Sequence, residues 1–331
     1  MKVAVVGLGY WGPNLVRNFS SADRVSEVLC HDLDTERVQR LITRFPNVRA
    51  VASFEDALAS DCDAVAIATP MSTHHPMSIR ALRAGKHVLV EKPMALSAQQ
   101  CEEMIRCAEE TSRVLMVDHT FLYTGAVRKM REIVTQGDIG DIYYFDSVRV
   151  NLGLFQHDAN VIWDLAPHDI SIMNYILERP ARSVSAVAVN HYNHVEDVAY
   201  LTLDFGDKMM GHVHVNWLAP VKIRRILIGG SKRMIVYNDM EPSEKVKVYD
   251  TGVKVVSREG IYRTLVEYRT GDMFAPKLDH TEALTYVVRD FLDAMETGSR
   301  PVADGETGLR IVRVLEAAEH SVRQGGVKVT L

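Results

Sequence analysis

Short apolar runs alternate with amphipathic stretches through the first third of the chain. Apolar runs that predict strands lie at 2–6, 25–31, 64–68, 87–90 and 114–117. Four of these runs are nearly continuous in hydrophobicity, which is typical of parallel strands buried on both faces. Apolar residues recur at helical spacing over 35–45, 74–84 and 98–111. This alternation predicts a doubly wound α/β domain with a parallel sheet and right-handed crossovers.

The pattern changes after about Phe121, where the strand–helix alternation stops. Strand-like runs then follow one another at 184–189, 199–205, 209–217, 223–228 and 234–237. Helical spacing returns only at 278–296 and 305–323. We therefore predict two domains, an α/β domain over 1–121 and an α+β domain over 122–331.

Composition and charge narrow the function classes. Of the 331 residues 47% are hydrophobic and 24% charged, with a net charge of -5, which is ordinary for a soluble enzyme and gives no reason to expect nucleic acid or an anionic membrane as partner. The four cysteines show no CxxC pair and no metal-ligand spacing. No signal peptide or long apolar span is recognisable, so we expect a reduced, cytoplasmic protein without a metal.

A glycine-rich turn follows the first predicted strand, with the sequence Gly7-Leu8-Gly9-Tyr10-Trp11-Gly12. In a dinucleotide-binding unit the first glycine permits the tight turn, the second lets the backbone approach a pyrophosphate, and the third lets the next helix pack on the strand. The second apolar run leads into Asp32, which is placed to accept the adenosine ribose hydroxyls. We expect Tyr10 and Trp11 to contact the cofactor together with these residues.

Asp32 also bears on the choice between NAD and NADP. A carboxylate at this position repels a 2′-phosphate, and the residue after it is Leu33, not an arginine. Arg37 lies one helical turn further on and leaves NADP open as the alternative. We expect NAD.

Glu91-Lys92-Pro93 follows the fourth apolar run. In an open α/β sheet, ligands bind outside the carboxyl ends of the strands, which is where this lysine is predicted to lie. Proline ends the strand and restricts the turn, and partial burial would lower the lysine pKa toward the range that suits proton transfer. A solvated surface lysine is the alternative.

Asp164 and His168 are four residues apart and share one face if their segment is helical. Pro167 is acceptable only in the first turn of a helix, so we expect the helix to begin near Asp164. A helix-capping aspartate with a hydrogen-bonded histidine is the alternative. A metal site is less favoured, because the motif offers only two ligands.

Several of these segments together resemble the Gfo/Idh/MocA family of oxidoreductases. The resemblance rests on the glycine turn and on Ala68-Thr69-Pro70-Met71-Ser72-Thr73-His74, Glu91-Lys92-Pro93, Trp163-Asp164-Leu165-Ala166-Pro167-His168-Asp169 and Glu196-Asp197. It implies an NAD-binding Rossmann domain followed by a substrate-binding domain with a large, mostly antiparallel open sheet. One face of that sheet would carry substrate, and the other would form a homodimer or homotetramer.

The resemblance also implies roles for the polar residues. Lys92 and His168 would meet the reacting hydroxyl, with His168 as general base, Lys92 stabilising the alkoxide and Asp164 orienting substrate or imidazole. Which of Lys92 and His168 takes the proton first stays open. Glu91 would support Lys92 or contact the nicotinamide ribose. Further expected contacts are Thr69, Pro70 and His74 along the cofactor, Trp163 against nicotinamide or in the core, and Tyr123 against substrate or in the core. Asp169, Glu196 and Asp197 are expected to make structural hydrogen bonds.

The substrate prediction rests on the same resemblance. The segments 118–127 and 163–170 resemble a bacterial branch of the family that oxidises nucleotide-linked sugars, UDP-N-acetylglucosamine at C3 among them, for the synthesis of 3-amino sugars of the cell envelope. An inositol or free-sugar dehydrogenase and an NADPH-dependent reductase of nucleotide-linked 3-keto sugars are the alternatives. A non-catalytic dinucleotide-binding regulator is least favoured, because a regulator has no need of Lys92, Asp164 and His168 together.

Overall fold

The computed structural model describes all of the chain except residues 154–158, 193, 251 and 260–262. The chain forms two compact units. The first combines Met1–Tyr123 with Thr281–Arg313, and the second combines Thr124–His280 with Val314–Leu331. The predicted domain boundary at residue 121 stays a prediction. The contacts within the chain show in addition that Thr281–Arg313, near the C-terminus, groups with the first unit.

Helix α8 (Ala283–Thr297) accounts for this addition. The Phe291 ring packs edge-on against Phe19, with ring centroids 6.4 Å apart. The Arg17 guanidinium donates to both carboxylate oxygens of Glu282, at 2.5 and 2.8 Å. Aromatic burial and a bidentate ion pair therefore attach this helix to the first unit.

The first unit contains a six-stranded sheet in which every neighbouring pair is parallel. Its strands are β1 (Lys2–Val6), β2 (Glu27–His31), β3 (Val48–Ala50), β4 (Ala64–Ile67), β5 (His87–Glu91) and β6 (Leu115–Asp118). Their order is β3-β2-β1-β4-β5-β6, the order of the dinucleotide-binding fold. The prediction of a parallel, doubly wound sheet is confirmed. The short strand β3 is an addition to it.

Helices follow the strands of this sheet. They are α1 (Gly12–Ser20), α2 (Thr35–Arg44), α3 (Phe54–Ala59), α4 (His74–Arg83) and α5 (Ala98–Thr111). The helix expected after the glycine turn and the three predicted at 35–45, 74–84 and 98–111 are present, and the short helix α3 is an addition. The side chains of Asp34 and Ser97 cap α2 and α5 by accepting from Glu36 N and Gln100 N. Within the part of the chain that is described, no helix is long and apolar enough to cross a membrane.

The second unit is built on a nine-stranded sheet. Its strands are β7 (Ile142–Leu152), β8 (Ser183–Val189), β9 (Val198–Gly206), β10 (Met209–Asn216), β11 (Leu218–Gly230), β12 (Met234–Asn238), β13 (Val246–Tyr249), β16 (Met273–Phe274) and β17 (Val329–Thr330). The order is β16-β13-β12-β11-β7-β10-β9-β8-β17, and all pairs are antiparallel except β7 with β10. The large, mostly antiparallel sheet implied by the resemblance is confirmed.

Three further α-helices and a hairpin lie in the described part of the chain. The helices are α6 (Gly125–Thr135), α7 (Val161–Leu177) and α9 (Gly305–Arg323), and the hairpin is β14 (Gly252–Glu259) with β15 (Arg263–Arg269). Helix α7 packs on one face of the nine-stranded sheet, against β7 and β10.

Helix α7 begins three residues earlier than predicted. Asn160 caps it, because its side-chain oxygen accepts from Ile162 N and Trp163 N. Pro167 therefore lies in the second turn, not the first, and lacks the N–H that would bond to the carbonyl of Trp163. The expected start near Asp164 was wrong, because the cap outweighs the local preference of proline.

A buried ion pair fixes α7 to the sheet. Asp169 accepts from Arg149 Nε at 2.5 Å and from Ser147 Oγ at 2.6 Å, and both partners lie on β7. The Arg149 and Asp169 side chains are only 3% and 2% exposed. A charge buried this deeply is stable only with its partner, so the pair determines how α7 is seated.

We predict that Asp169→Asn lowers the free energy of unfolding by about 3–5 kcal/mol, because it leaves the Arg149 charge buried without a counter-charge. Urea-induced unfolding measures this loss. Asp207→Asn is the matched control: Asp207 also pairs with an arginine, Arg179, but its side chain is 72% exposed. The control should lose less than about 1 kcal/mol. Equal losses in the two variants would contradict an anchoring role for Asp169.

Candidate active site

Polar residues collect at one edge of the first unit's sheet. Because all six strands are parallel, the segments that follow them emerge at the same edge. The residues there are the glycine turn after β1, Asp32 after β2, Thr69 after β4, Glu91 and Lys92 at the end of β5, and Asp118 at the end of β6. The predicted cofactor residues of this unit thus share one edge.

The three positions of the turn favour glycine for different steric reasons. Gly7 has φ of +90°, and a Cβ there would lie 2.5 Å from the carbonyl oxygen of Ala68. A Cβ on Gly12 would collide with the carbonyl of Gly7. A Cβ on Gly9 would meet only Arg37 Nη1, at 3.9 Å. The fold itself requires Gly7 and Gly12, whereas Gly9 leaves open the surface along which a pyrophosphate would approach.

Asp32 is bonded to the turn. Its Oδ2 accepts from Leu8 N at 2.5 Å, and its Oδ1 accepts from Asp34 N at 2.8 Å. Arg37 Nη1 lies 3.7 Å from the same carboxylate, and Arg37 Nε lies 3.1 Å from Asp34. The carboxylate is therefore held in position by backbone donors, and Arg37 is engaged by two acids.

The segment after β4 is held by His74. Its buried ring has Nε2 at 2.9 Å from the Thr69 carbonyl and Nδ1 at 2.9 Å from the Pro93 carbonyl. His74 therefore connects the segments that follow β4 and β5. Thr69 is half-buried, with its hydroxyl 2.6 Å from that of Thr73, and Pro70 is exposed. The predicted cofactor contacts of Thr69, Pro70 and His74 stay predictions.

Trp11 links the glycine turn to β6. Its indole N–H donates to Asp118 Oδ2 at 2.9 Å, and Thr120 Oγ1 donates to Asp118 Oδ1 at 2.6 Å. Tyr10, its neighbour in the turn, is 88% exposed. The structure thus gives Trp11 a bond across the edge of the sheet and leaves the Tyr10 ring accessible to a ligand.

Glu91 lies opposite Asp118 in the register of β5 and β6. Burial, together with the nearby Asp118 carboxylate, raises the pKa of Glu91 well above its ordinary value. The shift follows chiefly from burial, which disfavours the charged form of a carboxyl group. The Lys92 backbone N–H donates to Glu91 Oε2 at 3.3 Å, and the Lys92–Pro93 bond is cis.

In the second unit, α7 presents Asp164 and His168 on its accessible side. Between Val161 and Asp169 every residue is buried except Asp164, Leu165 and His168, which are half-buried. Trp217, which is fully buried, donates its indole N–H to Asp164 Oδ2 at 3.0 Å. The shared face predicted for Asp164 and His168 is present, and a buried donor orients the carboxylate.

Two aromatic residues lie inside their units. Trp163 is 6% exposed, and its indole N–H donates to Glu319 Oε2 at 3.2 Å. Tyr123 is 5% exposed, and its hydroxyl donates to Asp290 Oδ2 at 2.6 Å. Burial and Asp290 raise the pKa of Tyr123. These are the core positions left open as alternatives, and the predicted nicotinamide and substrate contacts stay predictions.

The acids after β8 support the start of α7. Asn160 Nδ2 donates to Glu196 Oε2 at 2.9 Å, and Val161 N donates to the Glu196 carbonyl at 2.9 Å. Asp197 accepts from His191 N at 2.8 Å, and its carbonyl accepts from Trp217 N. The structural hydrogen bonding expected for Glu196 and Asp197, and for Asp169 in the ion pair above, is confirmed.

Sequence reasoning missed Asp118 and Trp217 as site residues. Asp118 could have been found, since it ends a predicted parallel strand beside Glu91 and must share its edge. Trp217 gives no such signal, because it lies 53 residues from Asp164 and meets it only through the fold.

The residues present fit an NAD cofactor. Gly9 leaves space beside the turn, α1 begins at Gly12, directly after the turn, and Asp32 is fixed at the end of β2. Glu91 Oε1 is buried and has no hydrogen-bond partner among the described residues, as is characteristic of a group that meets a ligand.

Comparison with known proteins agrees with this geometry. The model of an oxidoreductase family with an NAD-binding Rossmann fold matches residues 1–119, and the model of the GFO/IDH/MocA C-terminal domain matches residues 127–236. Together they match more than half of the chain. The chain belongs to the Gfo/Idh/MocA family.

Individual relatives cover nearly the whole chain. UDP-N-acetylglucosamine 3-dehydrogenase of Acidithiobacillus ferrooxidans is 27% identical over 94% of this chain and 94% of its own. Its structure superposes with a TM-score of 0.82, covering 98% of each chain. The NADP-dependent scyllo-inositol 2-dehydrogenase IolW of Bacillus subtilis is 23% identical over 98% of this chain and 94% of its own. GenD2 of gentamicin A biosynthesis, solved with NAD, has a TM-score of 0.82 at 23% identity, covering 100% of this chain and 96% of its own.

This Gfo/Idh/MocA protein is therefore an oxidoreductase that acts on CH–OH groups. Its first unit contains an NAD-binding Rossmann domain, and its substrate class is sugars or polyols.

We predict that the protein binds NAD at least tenfold more tightly than NADP, a difference of about 1.4 kcal/mol. The fixed Asp32 carboxylate repels a 2′-phosphate, and Asp32→Ala should reduce the preference because it removes this negative charge. Fluorescence titration gives both dissociation constants without any substrate. Asp34→Ala, which removes the more exposed acid beside Arg37, is the control and should keep the preference. A tenfold preference for NADP in the unaltered protein would contradict this role of Asp32.

Proposed function

We propose that this protein uses NAD to oxidise a secondary hydroxyl of a nucleotide-linked sugar to a ketone, with C3 of UDP-N-acetylglucosamine as the leading candidate. Such a product would feed the synthesis of 3-amino sugars for cell-envelope glycans. The observation that carries the proposal is the near end-to-end similarity to a UDP-N-acetylglucosamine 3-dehydrogenase, joined to the presence of Lys92, Asp164 and His168.

The chemistry of the proposed reaction needs two transfers. A hydride leaves the carbon and a proton leaves the oxygen, giving a ketone, NADH and one proton. NAD, when bound, supplies the hydride acceptor. We assign the proton to His168, because an imidazole titrates near neutral pH and this one is accessible on α7. We assign stabilisation of the developing alkoxide to the Lys92 ammonium.

Asp164 is proposed to orient the substrate or the imidazole. The Trp217 indole supports this role, since a buried N–H donor fixes one carboxylate oxygen of Asp164 at 3.0 Å.

Oxidation of an inositol or a free sugar is the second candidate. The similarity to a scyllo-inositol dehydrogenase over 98% of this chain favours it. Reduction of a nucleotide-linked keto sugar with NADPH is less favoured because of Asp32. A regulator without activity is least favoured, because the complete proton-transfer set is present.

The test is to incubate the protein with NAD and a panel of UDP-sugars, dTDP-sugars, free sugars and inositols, and to follow the absorbance of NADH. We expect the largest signal with UDP-N-acetylglucosamine. Because alcohol oxidation by NAD is often unfavourable, an aminotransferase that traps the ketone, or a high pH, accompanies each assay. Turnover of inositols alone would select the second candidate, and no turnover of any compound would sink the enzymatic proposal.

Variants in the same assay test the residue assignments. Lys92→Ala and His168→Ala should each lower kcat by roughly 10²–10⁴, the range for loss of an acid–base or charge-stabilising group, while the affinity for NAD persists. Thr120→Ala, a change beside Asp118 that removes neither proposed group, is the control. Near-normal kcat in both variants would remove Lys92 and His168 from the mechanism.

We also propose a homodimer or homotetramer formed through the second unit's sheet. The sheet face opposite α7 exposes Val187, Tyr200 and Met210, which lie on three neighbouring strands, and the Tyr200 ring stacks on His214 at 4.3 Å. An aromatic and apolar surface of this kind is typical of protein interfaces.

Sedimentation equilibrium should give a multiple of the 37.1 kDa chain mass, and Tyr200→Glu should lower it by placing a charge in the interface. Tyr143→Glu is the matched control, because Tyr143 is also exposed but its side chain points to the other face of the sheet. A monomeric unaltered protein would contradict the assembly.

A further inference from the structure

His119 is a polar residue that the fold leaves without a hydrogen bond. Its side chain is 1% exposed, and neither Nδ1 nor Nε2 has a partner among the described residues. Buried imidazoles are nearly always hydrogen-bonded, because a buried unsatisfied polar group destabilises the folded state. An apolar residue would stabilise the folded protein more at this position.

The surroundings of His119 point to a ligand. Glu91 and Asp118 are paired in the register of β5 and β6, so the next residues along these strands are Lys92 and His119. The Glu91 carboxyl has an Oε1 that is also buried and without a hydrogen bond in the described part of the chain. The His119 ring nitrogens and one carboxyl oxygen of Glu91 therefore lie without a hydrogen bond, within the described part of the chain, at the ends of β6 and β5 and at the edge that bears the glycine turn.

The position of these strands indicates which part of the cofactor is concerned. Asp32 follows β2, on one side of β1, whereas β5 and β6 lie on the other side. A dinucleotide extends across this point of the sheet, so the β5 and β6 side faces the nicotinamide half when Asp32 holds the adenosine ribose.

The charge state of His119 agrees with that half of the cofactor. Burial, reinforced by the Lys92 charge, lowers the pKa of His119 to about 3, so the imidazole is neutral at pH 7. A neutral imidazole offers one N–H donor and one acceptor. Such a ring matches a neutral amide or hydroxyl and not a phosphate.

We propose that His119 is a cofactor-binding residue that hydrogen-bonds a neutral group of the nicotinamide half of NAD, either the carboxamide or a ribose hydroxyl. Among the functions proposed above it rests only on NAD being the cofactor. The side chain remains unsatisfied in the free protein and gains its partner on binding. It is a site residue that the sequence pattern did not single out.

The test uses the full-length protein and NAD without any sugar, so a failure to oxidise a given sugar cannot be mistaken for a failure of this proposal. His119→Leu keeps a side chain of similar volume and removes both ring nitrogens. We expect the dissociation constant of NAD to rise about tenfold, since a hydrogen bond to the ligand is lost. We expect the Tm to rise by about 2–4 °C, because an unsatisfied group is removed.

Ser78→Ala is the matched control. Ser78 on α4 is fully buried, and its hydroxyl also has no partner among the described residues, but it does not lie at this edge of the sheet. Its removal should leave the dissociation constant of NAD unchanged. Should His119→Leu fail to fold by circular dichroism, His119→Asn replaces it, because the shorter amide stays polar but does not reach the same ligand atoms.

The analogue in which an acetyl group replaces the carboxamide of NAD distinguishes the two ligand groups. If His119 binds the carboxamide, NAD and the acetyl analogue should have nearly equal dissociation constants in His119→Leu. If His119 binds a ribose hydroxyl, the substitution should raise the dissociation constants of NAD and of the analogue by the same factor. A dissociation constant of NAD that stays within about twofold of the unaltered protein in the folded variant overturns the proposal, whatever the Tm does.

Discussion

The common direction of the strands in the first unit is the constraint on which its chemistry depends. A parallel sheet delivers every strand's carboxyl end to one edge, and the glycine turn, Asp32, Thr69, Lys92 and Asp118 follow from that fact alone. The glycine turn and these residues lie far apart in the sequence, and the parallel strands bring them to the same edge. The edge is then stiffened by bonds that run along it, from Leu8 N to Asp32 and from Trp11 to Asp118. The cofactor surface is thus a property of the sheet and not of any single loop.

In the second unit, one helix carries both Asp164 and His168, the residues proposed to orient the substrate and to accept the proton. Helix α7 is capped by Asn160, supported by Glu196 and fixed to the sheet by Asp169. Trp217 then orients the carboxylate of Asp164 from beneath. Side chains that are held by buried partners lose little further freedom when a substrate binds, which is what preorganisation requires.

The sequence predicted the parts of this arrangement that depend on local pattern. The apolar runs of β1, β4 and β5 are nearly continuous, and the glycine turn has a fixed spacing, so the first sheet and its cofactor edge were predictable. Strand β3 was not, because it has three residues and two of them are exposed. The start of α7 was misplaced because Pro167 dominates the local preference while the cap at Asn160 decides the outcome.

Contacts between distant residues were beyond prediction from a single sequence. The bond from Trp217 to Asp164 and the raised pKa of Glu91 both depend on burial, which only the folded chain determines. His119 is a further example. Its residue type gives no hint that its ring nitrogens are buried without a hydrogen-bond partner among the described residues, and only the folded structure reveals this.

The adjacency of His168 and Asp169 gives α7 a single rotational setting. Neighbouring positions on a helix point about 100° apart, so the turn that brings the Asp169 carboxylate onto Arg149 also directs His168 away from the sheet. A rotation by one residue would bury the imidazole and separate a buried charge pair at once. Substitutions in the sheet that contacts α7 should therefore change the packing of the helix gradually and leave its orientation about its own axis nearly unchanged. That orientation should be lost in one step when the ion pair between Arg149 and Asp169 breaks.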